Sequence, residues 1–125
     1  MRPASAHYPA RAPIDAYGNG GFRFADMSHI GSLLIVPSGI YAWDAASMDE
    51  VTPEACAAFL REMASPALVL LGTGETHLMP PEPVRRLFAG ARLGLEIMTT
   101  GAACRTYNVL LAEGRDVGAG LLAVD

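Results

Sequence analysis

The sequence predicts an α/β protein, namely a three-layer sandwich with a mixed, mainly parallel central sheet and an antiparallel β addition from the N-terminal half. Two patterns predict this class. Strand-like runs follow one another closely in the first half, which is typical of antiparallel strands. From Thr52 onward, short apolar runs alternate with helical patterns, which favours right-handed parallel crossovers. The 125 residues fit one domain, which we place at 14–125 after a disordered N-terminal tail at 1–13.

The strands of the first half are short. Residues 21–24 alternate between apolar and polar side chains, as a half-exposed strand does. Residues 32–36 form an apolar run, residues 37–39 (Pro-Ser-Gly) signal a turn, and residues 40–43 resume a strand-like run. The two runs on either side of this turn therefore predict a β-hairpin.

The alternation of helices and strands begins at Thr52. This residue is a candidate N-cap, and a proline and a glutamate follow it at the positions that favour a helix start. The apolar residues of 56–63 then recur at helical spacing. The predicted elements after this helix are a strand at 67–71, a helix at 81–90, a strand at 93–98, a helix at 99–114 with Thr99 or Thr100 near its cap, and a strand at 118–124.

The composition excludes several classes of function. The formal net charge is −4, which gives no electrostatic reason to bind nucleic acid. No apolar run reaches the roughly 18 residues that a bilayer-spanning helix needs, so no membrane insertion is predicted. All nine basic residues are arginine, which excludes a Walker lysine and a Schiff-base lysine. Cys56 and Cys104 belong to no CxxC pair, which indicates a reduced, cytoplasmic protein.

The glycine-rich turn at 72–74 follows an apolar strand, as nucleotide-binding loops do. A dinucleotide fingerprint needs a third glycine where this chain has His77. It also needs a helix that starts inside the turn, whereas two prolines at 80–81 delay the next helix. We therefore interpret the turn as a tight exit from the strand and predict no nucleotide and no other cofactor.

Two predicted strand ends nevertheless carry glycine and threonine together. Ligands of open parallel sheets bind beyond the carboxyl ends of the strands. The second end leads directly into a helix, whose amide donors and positive dipole end point the same way. We therefore predict a small polar site for an anion or a protein partner, made of Gly72, Thr73, Gly74, Thr100, Gly101, Cys104, Arg105 and Asn108. The alternative is that Thr100 only caps the helix and that Arg105 is a solvated or paired surface group.

Several other side chains have a functional and a structural interpretation. Cys104 lies where helix amides could stabilise a thiolate, but we expect a packed, unreactive thiol. The three histidines, His7, His29 and His77, lack ligand spacing, so no metal site is predicted. His29 with its neighbours Ser28 and Asp26 lacks a G-x-S-x-G elbow, so no hydrolase triad is predicted.

The aromatic residues Phe22, Tyr41 and Trp43 allow two interpretations as well. They could form an exposed binding patch. Their spacing is that of strands, so we expect them to pack in the core or on a sheet face.

Three blocks of the sequence carry a family resemblance. They are YGNGGFRFADMSHIGSLLIVPSGIYAWD, LVLLGTGETH and LEIMTTGAACRTYNVLLAEGRDVGAGLLAV. Together they resemble domain-of-unknown-function family 498, over residues 14–124. One departure is Thr99, where we expect many relatives to carry aspartate.

The resemblance implies a fold and a class of partners but no established reaction. The family fold is an α/β three-layer sandwich with extra strands. The family includes small bacterial and archaeal proteins and a mitochondrial assembly factor of respiratory complex I, which binds other factors and early subunits. We therefore expect a non-enzymatic binding or assembly protein with protein partners, in connection with complex I. The alternative is a small-molecule or anion-binding protein, or an enzyme, that uses the strand-end site. The sequence does not decide whether the protein forms a homo-oligomer.

Overall fold

The computed structural model describes residues 7–125. Within them the chain forms eight β-strands, three α-helices and one turn of 3₁₀-helix. The strands are β1 Ala16–Gly18, β2 Gly21–Phe24, β3 Met27–Ile30, β4 Leu33–Val36, β5 Gly39–Ala42, β6 Leu68–Gly72, β7 Gly94–Met98 and β8 Val117–Leu121. The helices are α1 Ala57–Glu62, α2 Glu82–Gly90 and α3 Thr100–Ala112, and the 3₁₀ turn is Met48–Glu50.

The larger sheet has five strands in the order β5-β4-β8-β6-β7. Strand β6 pairs in parallel with both β7 and β8, whereas β4 pairs antiparallel with both β5 and β8. The predicted hairpin is confirmed as β4 and β5. Because β8 lies between β4 and β6, this hairpin extends the same sheet as the parallel strands, and the fold is mixed α/β.

The smaller sheet is antiparallel and has the order β1-β2-β3. The turn between β1 and β2 is Asn19-Gly20, and the turn between β2 and β3 is Ala25-Asp26; all four residues have positive φ. Two central residues with positive φ are typical of tight two-residue hairpins. The sequence predicts only the central strand of this sheet, because β1 and β3 are short and alanine is not a turn signal.

Helix α1 begins later than predicted, whereas α2 and α3 agree with their predicted bounds to within two residues. Helix α1 begins at Ala57, after a turn in which the Thr52 Oγ1 accepts from the Ala55 N–H at 3.1 Å. Helix α3 has Thr99 as its N-cap, with Oγ1 accepting from the Ala102 N–H at 3.4 Å. Among residues 7–125, no helix combines the length and apolar character needed to cross a bilayer.

Two hydrophobic clusters pack against opposite faces of the larger sheet. Leu34 and Val36 of β4 belong to the cluster that includes buried residues of α1 and α2, whereas Leu33 and Ile35 belong to the cluster that includes α3 and the smaller sheet. Alternate residues of a strand point to opposite faces, which assigns the clusters to the two sides. The aromatic residues expected to pack do so: Phe22 and Trp43 are buried and Tyr41 is half-buried.

The N-terminal segment at 8–14 lies on the domain. Tyr8 forms a β-bridge with Ile40 at the edge of the larger sheet. Arg11 forms an ion pair of 2.8 Å with Asp116, and Ala12 is buried. The predicted disordered tail at 1–13 included part of this segment, whereas its first six residues lie outside the described residues.

Candidate functional site

Thr100 joins the two predicted strand ends. Its Oγ1 accepts from the Gly74 N–H at 3.0 Å and donates to the Leu122 carbonyl at 2.7 Å. Its own N–H donates to the Gly74 carbonyl at 2.9 Å. The side chain is fully buried, so Thr100 connects the turn after β6 to the start of α3 and has no polar atom directed at solvent.

Thr73 and Gly72 are likewise used inside the fold. The Thr73 Oγ1 donates to the Thr76 carbonyl at 2.6 Å and accepts from the Leu78 N–H at 3.2 Å, which holds the loop after β6 closed. A Cβ on Gly72 would lie 2.9 Å from the Thr100 Cα. Close backbone approach therefore explains this glycine, and the start of α2 lies too far along the chain for its amides to meet a phosphate here.

Asn108 and Cys104 also face the interior. The Asn108 side chain binds the Ile14 backbone through two hydrogen bonds of 2.8 Å. Cys104 is buried, as expected. Burial raises the pKa of its thiol to about 12, although the neighbouring Arg105 charge acts in the opposite direction. At neutral pH the thiol is therefore protonated and weakly nucleophilic.

The remaining predicted residues, Gly74, Gly101 and Arg105, line an open concavity of about 310 Å³ at the start of α3. Tyr17 from β1 lines it as well, although no sequence signal indicated this residue. The Arg105 Nη1 donates to the Tyr17 hydroxyl at 3.3 Å. A Cβ on Gly101 would lie 2.5 Å from the same hydroxyl, so Tyr17 covers the first turn of α3.

Acidic residues alter the electrostatics of this concavity. Glu75 and Asp125 line it together with Arg105, and Thr99 and Val124 complete its wall. One guanidinium is thus offset by two carboxylates, and the Arg105 guanidinium is exposed. This balance disfavours an anion, which is the ligand that the helix start alone would favour.

A second concavity, of about 240 Å³, lies on the smaller sheet. Tyr17 lines this one too, so the two concavities adjoin. Ile30 of β3 also lines it, and its side chain is 80% exposed, compared with 42% for Tyr17. Arg23 and His29 are its basic lining residues, and no carboxylate lines it. No sequence signal indicated this surface, because β3 was not predicted.

The histidines and hydroxyls near β3 form no catalytic triad in the described part of the chain. The Ser28 Oγ accepts from the Arg23 Nη1 at 3.1 Å, and the His29 Nε2 bonds to the Ser32 carbonyl at 3.1 Å. The His7 and His29 rings pack with their centroids 5.0 Å apart. Over residues 7–125, no three side chains among His, Cys, Asp and Glu are grouped to hold a metal ion.

Comparisons with known proteins agree on one family. The model of a family described as protein of unknown function (DUF498/DUF598) matches residues 14–122. An uncharacterised protein of Rhodobacter capsulatus is 37% identical over 123 residues, which cover 98% of this chain and 93% of that protein. A crystal structure of an outer membrane protein from Bartonella henselae has a TM-score of 0.88 and 53% identity, and the match covers 95% of this chain and 100% of that chain.

A relative from Mus musculus is more distant and longer. NADH dehydrogenase (ubiquinone) 1 alpha subcomplex assembly factor 3 of Mus musculus is 28% identical over 118 residues, which cover 94% of this chain and 63% of that protein. The chain thus spans less than two thirds of the length of this relative. The match to the family model and to the bacterial relatives extends over nearly the whole chain. The chain therefore belongs to the family of proteins of unknown function DUF498/DUF598.

Proposed function

We propose that this protein is a non-enzymatic binding protein that takes part in the assembly of respiratory complex I. The observation that carries the proposal is the surface formed by Tyr17 and Ile30, which we call the Tyr17–Ile30 surface. Both residues are exposed and contribute largely apolar surface, and both line the concavity on the smaller sheet. Their side chains extend from opposite faces of this sheet, because Tyr17 is opposite Phe22 whereas Ile30 is opposite Gly21. Exposed apolar surface beside a concavity is typical of a protein–protein contact. The relatives named as complex I assembly factors indicate which kind of partner to test.

The chemistry of the strand-end residues supports a binding role rather than catalysis. Thr73 and Thr100 are buried, and their hydroxyls are engaged in hydrogen bonds to the backbone. Cys104 is buried with a raised pKa. A nucleophile needs exposure and an adjacent base or a lowered pKa. Of the predicted site residues, Gly74, Gly101 and Arg105 remain as contributors, at the border of the Tyr17–Ile30 surface.

The alternative of an anion-binding site or enzyme at the strand ends has less support. The concavity there has the volume of a small ligand site. Its two carboxylates, Glu75 and Asp125, outnumber the Arg105 guanidinium, so a neutral or cationic group suits it better than a phosphate.

We place the protein in the cytoplasm because its cysteines, Cys56 and Cys104, are both free thiols.

The proposal is tested by affinity purification from the native host with quantitative mass spectrometry. Wild type should capture complex I subunits or other assembly factors, and a Tyr17→Ser, Ile30→Ser double variant should lose most of that capture. The matched control is Met79→Ser with Val109→Ser, since these side chains are also large, apolar and exposed. Equal capture by both double variants, or no complex I component with wild type, contradicts the proposal.

A further inference from the structure

We propose that the free edge of β3 accepts an extended segment of a partner protein as an additional strand, and that this segment carries an apolar residue and, two positions away, a carboxylate. The inference rests on the proposed function in one respect, namely that the Tyr17–Ile30 surface binds protein. It adds the conformation of the bound segment and its chemical pattern.

The hydrogen-bonding register leaves part of β3 unpaired. Strand β3 is the last strand of the smaller sheet, and the Gly31 N–H donates to the Gly20 carbonyl at 2.8 Å. Residues of an antiparallel pair alternate between facing the partner strand and facing away from it. Since Gly31 faces β2, the N–H and C=O groups of Ser28 and Ile30 point away from β2. In the described residues no strand pairs with them on that side.

This edge lacks the features that usually prevent strand addition. Natural sheets protect their edges with charged side chains, proline or bulges. The residues of β3, Met27–Ile30, include no proline and no acid or permanently charged base. Ile30 instead places a β-branched apolar side chain, 80% exposed, directly beside the free backbone groups. Addition of a partner strand would satisfy these groups and cover the side chain.

The face of the sheet beside this edge determines which side chains the added strand should carry. Ile30 is opposite Gly21, and Gly21 is opposite Gly18, so two positions in that row have no side chain. The bare positions form part of the 240 Å³ concavity on the β2 side of Ile30, and an apolar side chain of the added strand can lie against Ile30 from the free-edge side. The next row on the same face contains Ser28 opposite Arg23.

Arg23 supplies the charge preference. Its side chain is exposed and donates to the Ser28 Oγ at 3.1 Å. Among the described residues it is in no ion pair, and the concavity that it lines has no carboxylate. Residues two positions apart on a strand share a face. A partner segment that runs antiparallel to β3 and places an apolar residue beside Ile30 therefore places its second-next residue beside Ser28 and within reach of Arg23, where a carboxylate is favoured.

Two synthetic peptides of nine residues test the inference. The first is polythreonine with one central isoleucine and an aspartate two positions later, and the second has lysine in place of that aspartate. Amide chemical shifts of the ¹⁵N-labelled protein should move at Ser28 and Ile30 on titration, and the aspartate peptide should bind about fivefold more tightly. Arg23→Glu should reverse the preference, and Arg23→Gln should abolish it. The amide spectrum of each variant reports its folding.

The outcomes separate this inference from the proposed function. Shifts that avoid β3, no shifts with either peptide, or a preference unchanged in Arg23→Glu overturn the strand-addition inference, even if complex I subunits are captured from the host. Conversely, the expected shifts and the reversed preference support strand addition even if no such subunit is captured. In that case only the proposed function is contradicted.

Discussion

Asn108 binds both backbone groups of Ile14: its Oδ1 accepts from the Ile14 N–H and its Nδ2 donates to the Ile14 carbonyl, each at 2.8 Å. The preceding residue of α3, Tyr107, donates its hydroxyl to the Ala12 carbonyl at 2.8 Å. Helix α3 thus holds the N-terminal segment much as a neighbouring strand would. The same contacts explain why Asn108 is not free to bind a ligand.

Asn108→Ala should therefore lower the free energy of unfolding by about 1–3 kcal/mol, because it leaves the partly buried N–H and carbonyl of Ile14 without partners. Chemical denaturation measures this difference. Val109→Ala is the matched control, since Val109 is the next residue of α3 and is exposed; its effect should stay within about 0.5 kcal/mol. Equal losses in the two variants would show that the Ile14 contacts contribute no stability.

The glycines at 72 and 101 should respond differently to alanine. A Cβ on Gly72 meets the backbone of Thr100 at 2.9 Å and the Leu121 Cδ2 at 3.1 Å, so Gly72→Ala should cost about 1–3 kcal/mol of stability through overpacking. A Cβ on Gly101 meets mainly the movable end of Tyr17. Alanine also favours a helix over glycine by up to about 1 kcal/mol, so Gly101→Ala should change stability little. Denaturation curves of the two variants check this, and the reverse order would disagree with the packing described.

Cys104 should be unreactive in the folded protein. Burial raises the pKa of its thiol to about 12 and that of Cys56 to about 11, so neither residue supplies thiolate at neutral pH. Iodoacetamide labelling followed by peptide mass spectrometry should show slow modification of both residues, and rapid modification once the protein is unfolded. Faster labelling of Cys104 than of Cys56 below neutral pH would reveal an activated thiol and revive the enzymatic alternative.

His29 should make stability depend on pH. Burial lowers the pKa of this imidazole from 6.5, the hydrogen bond to the Ser32 carbonyl opposes the shift, and the charge of His7 adds to it. The unfolded state then binds more protons than the folded state below about pH 6.5, so stability is present above that pH and falls as the solution is acidified. Denaturation at about pH 7.5 and at about pH 5 measures the loss. His29→Gln should reduce it relative to His77→Gln, an exposed control; the same loss in both variants would assign it to other groups.

The sequence was sufficient for elements whose signals are local. The hairpin of β4 and β5 followed from two apolar runs around Pro-Ser-Gly, and α2 and α3 followed from helical spacing and their end signals. Strand β3 was not predicted because the turn before it, Ala25-Asp26, adopts positive φ without a glycine. That conformation depends on tertiary context, which residue preferences do not record.

The candidate site was only partly predictable for a similar reason. The sequence indicated that the strand ends at 72–74 and 99–101 would meet, and they do. It could not indicate that the Thr100 hydroxyl would donate to the Leu122 carbonyl. Nor could it indicate that Tyr17 would cover the start of α3, since Tyr17 lies 88 residues before Arg105. Both contacts join segments that are distant in sequence. Because of these contacts, the centre of the predicted polar site is packed inside the fold, and an apolar surface lies at its border.

Photo-cross-linking in the native host tests the central claim most directly. A photoreactive benzoylphenylalanine replaces Ile30 in one strain and Val109 in a control strain, since both native side chains are exposed and apolar. We predict that position 30 cross-links to a complex I subunit or another of its assembly factors, and that position 109 gives no such product. Cross-linking of complex I components at position 109 alone, or at neither position, would contradict the assignment of the Tyr17–Ile30 surface as the binding surface.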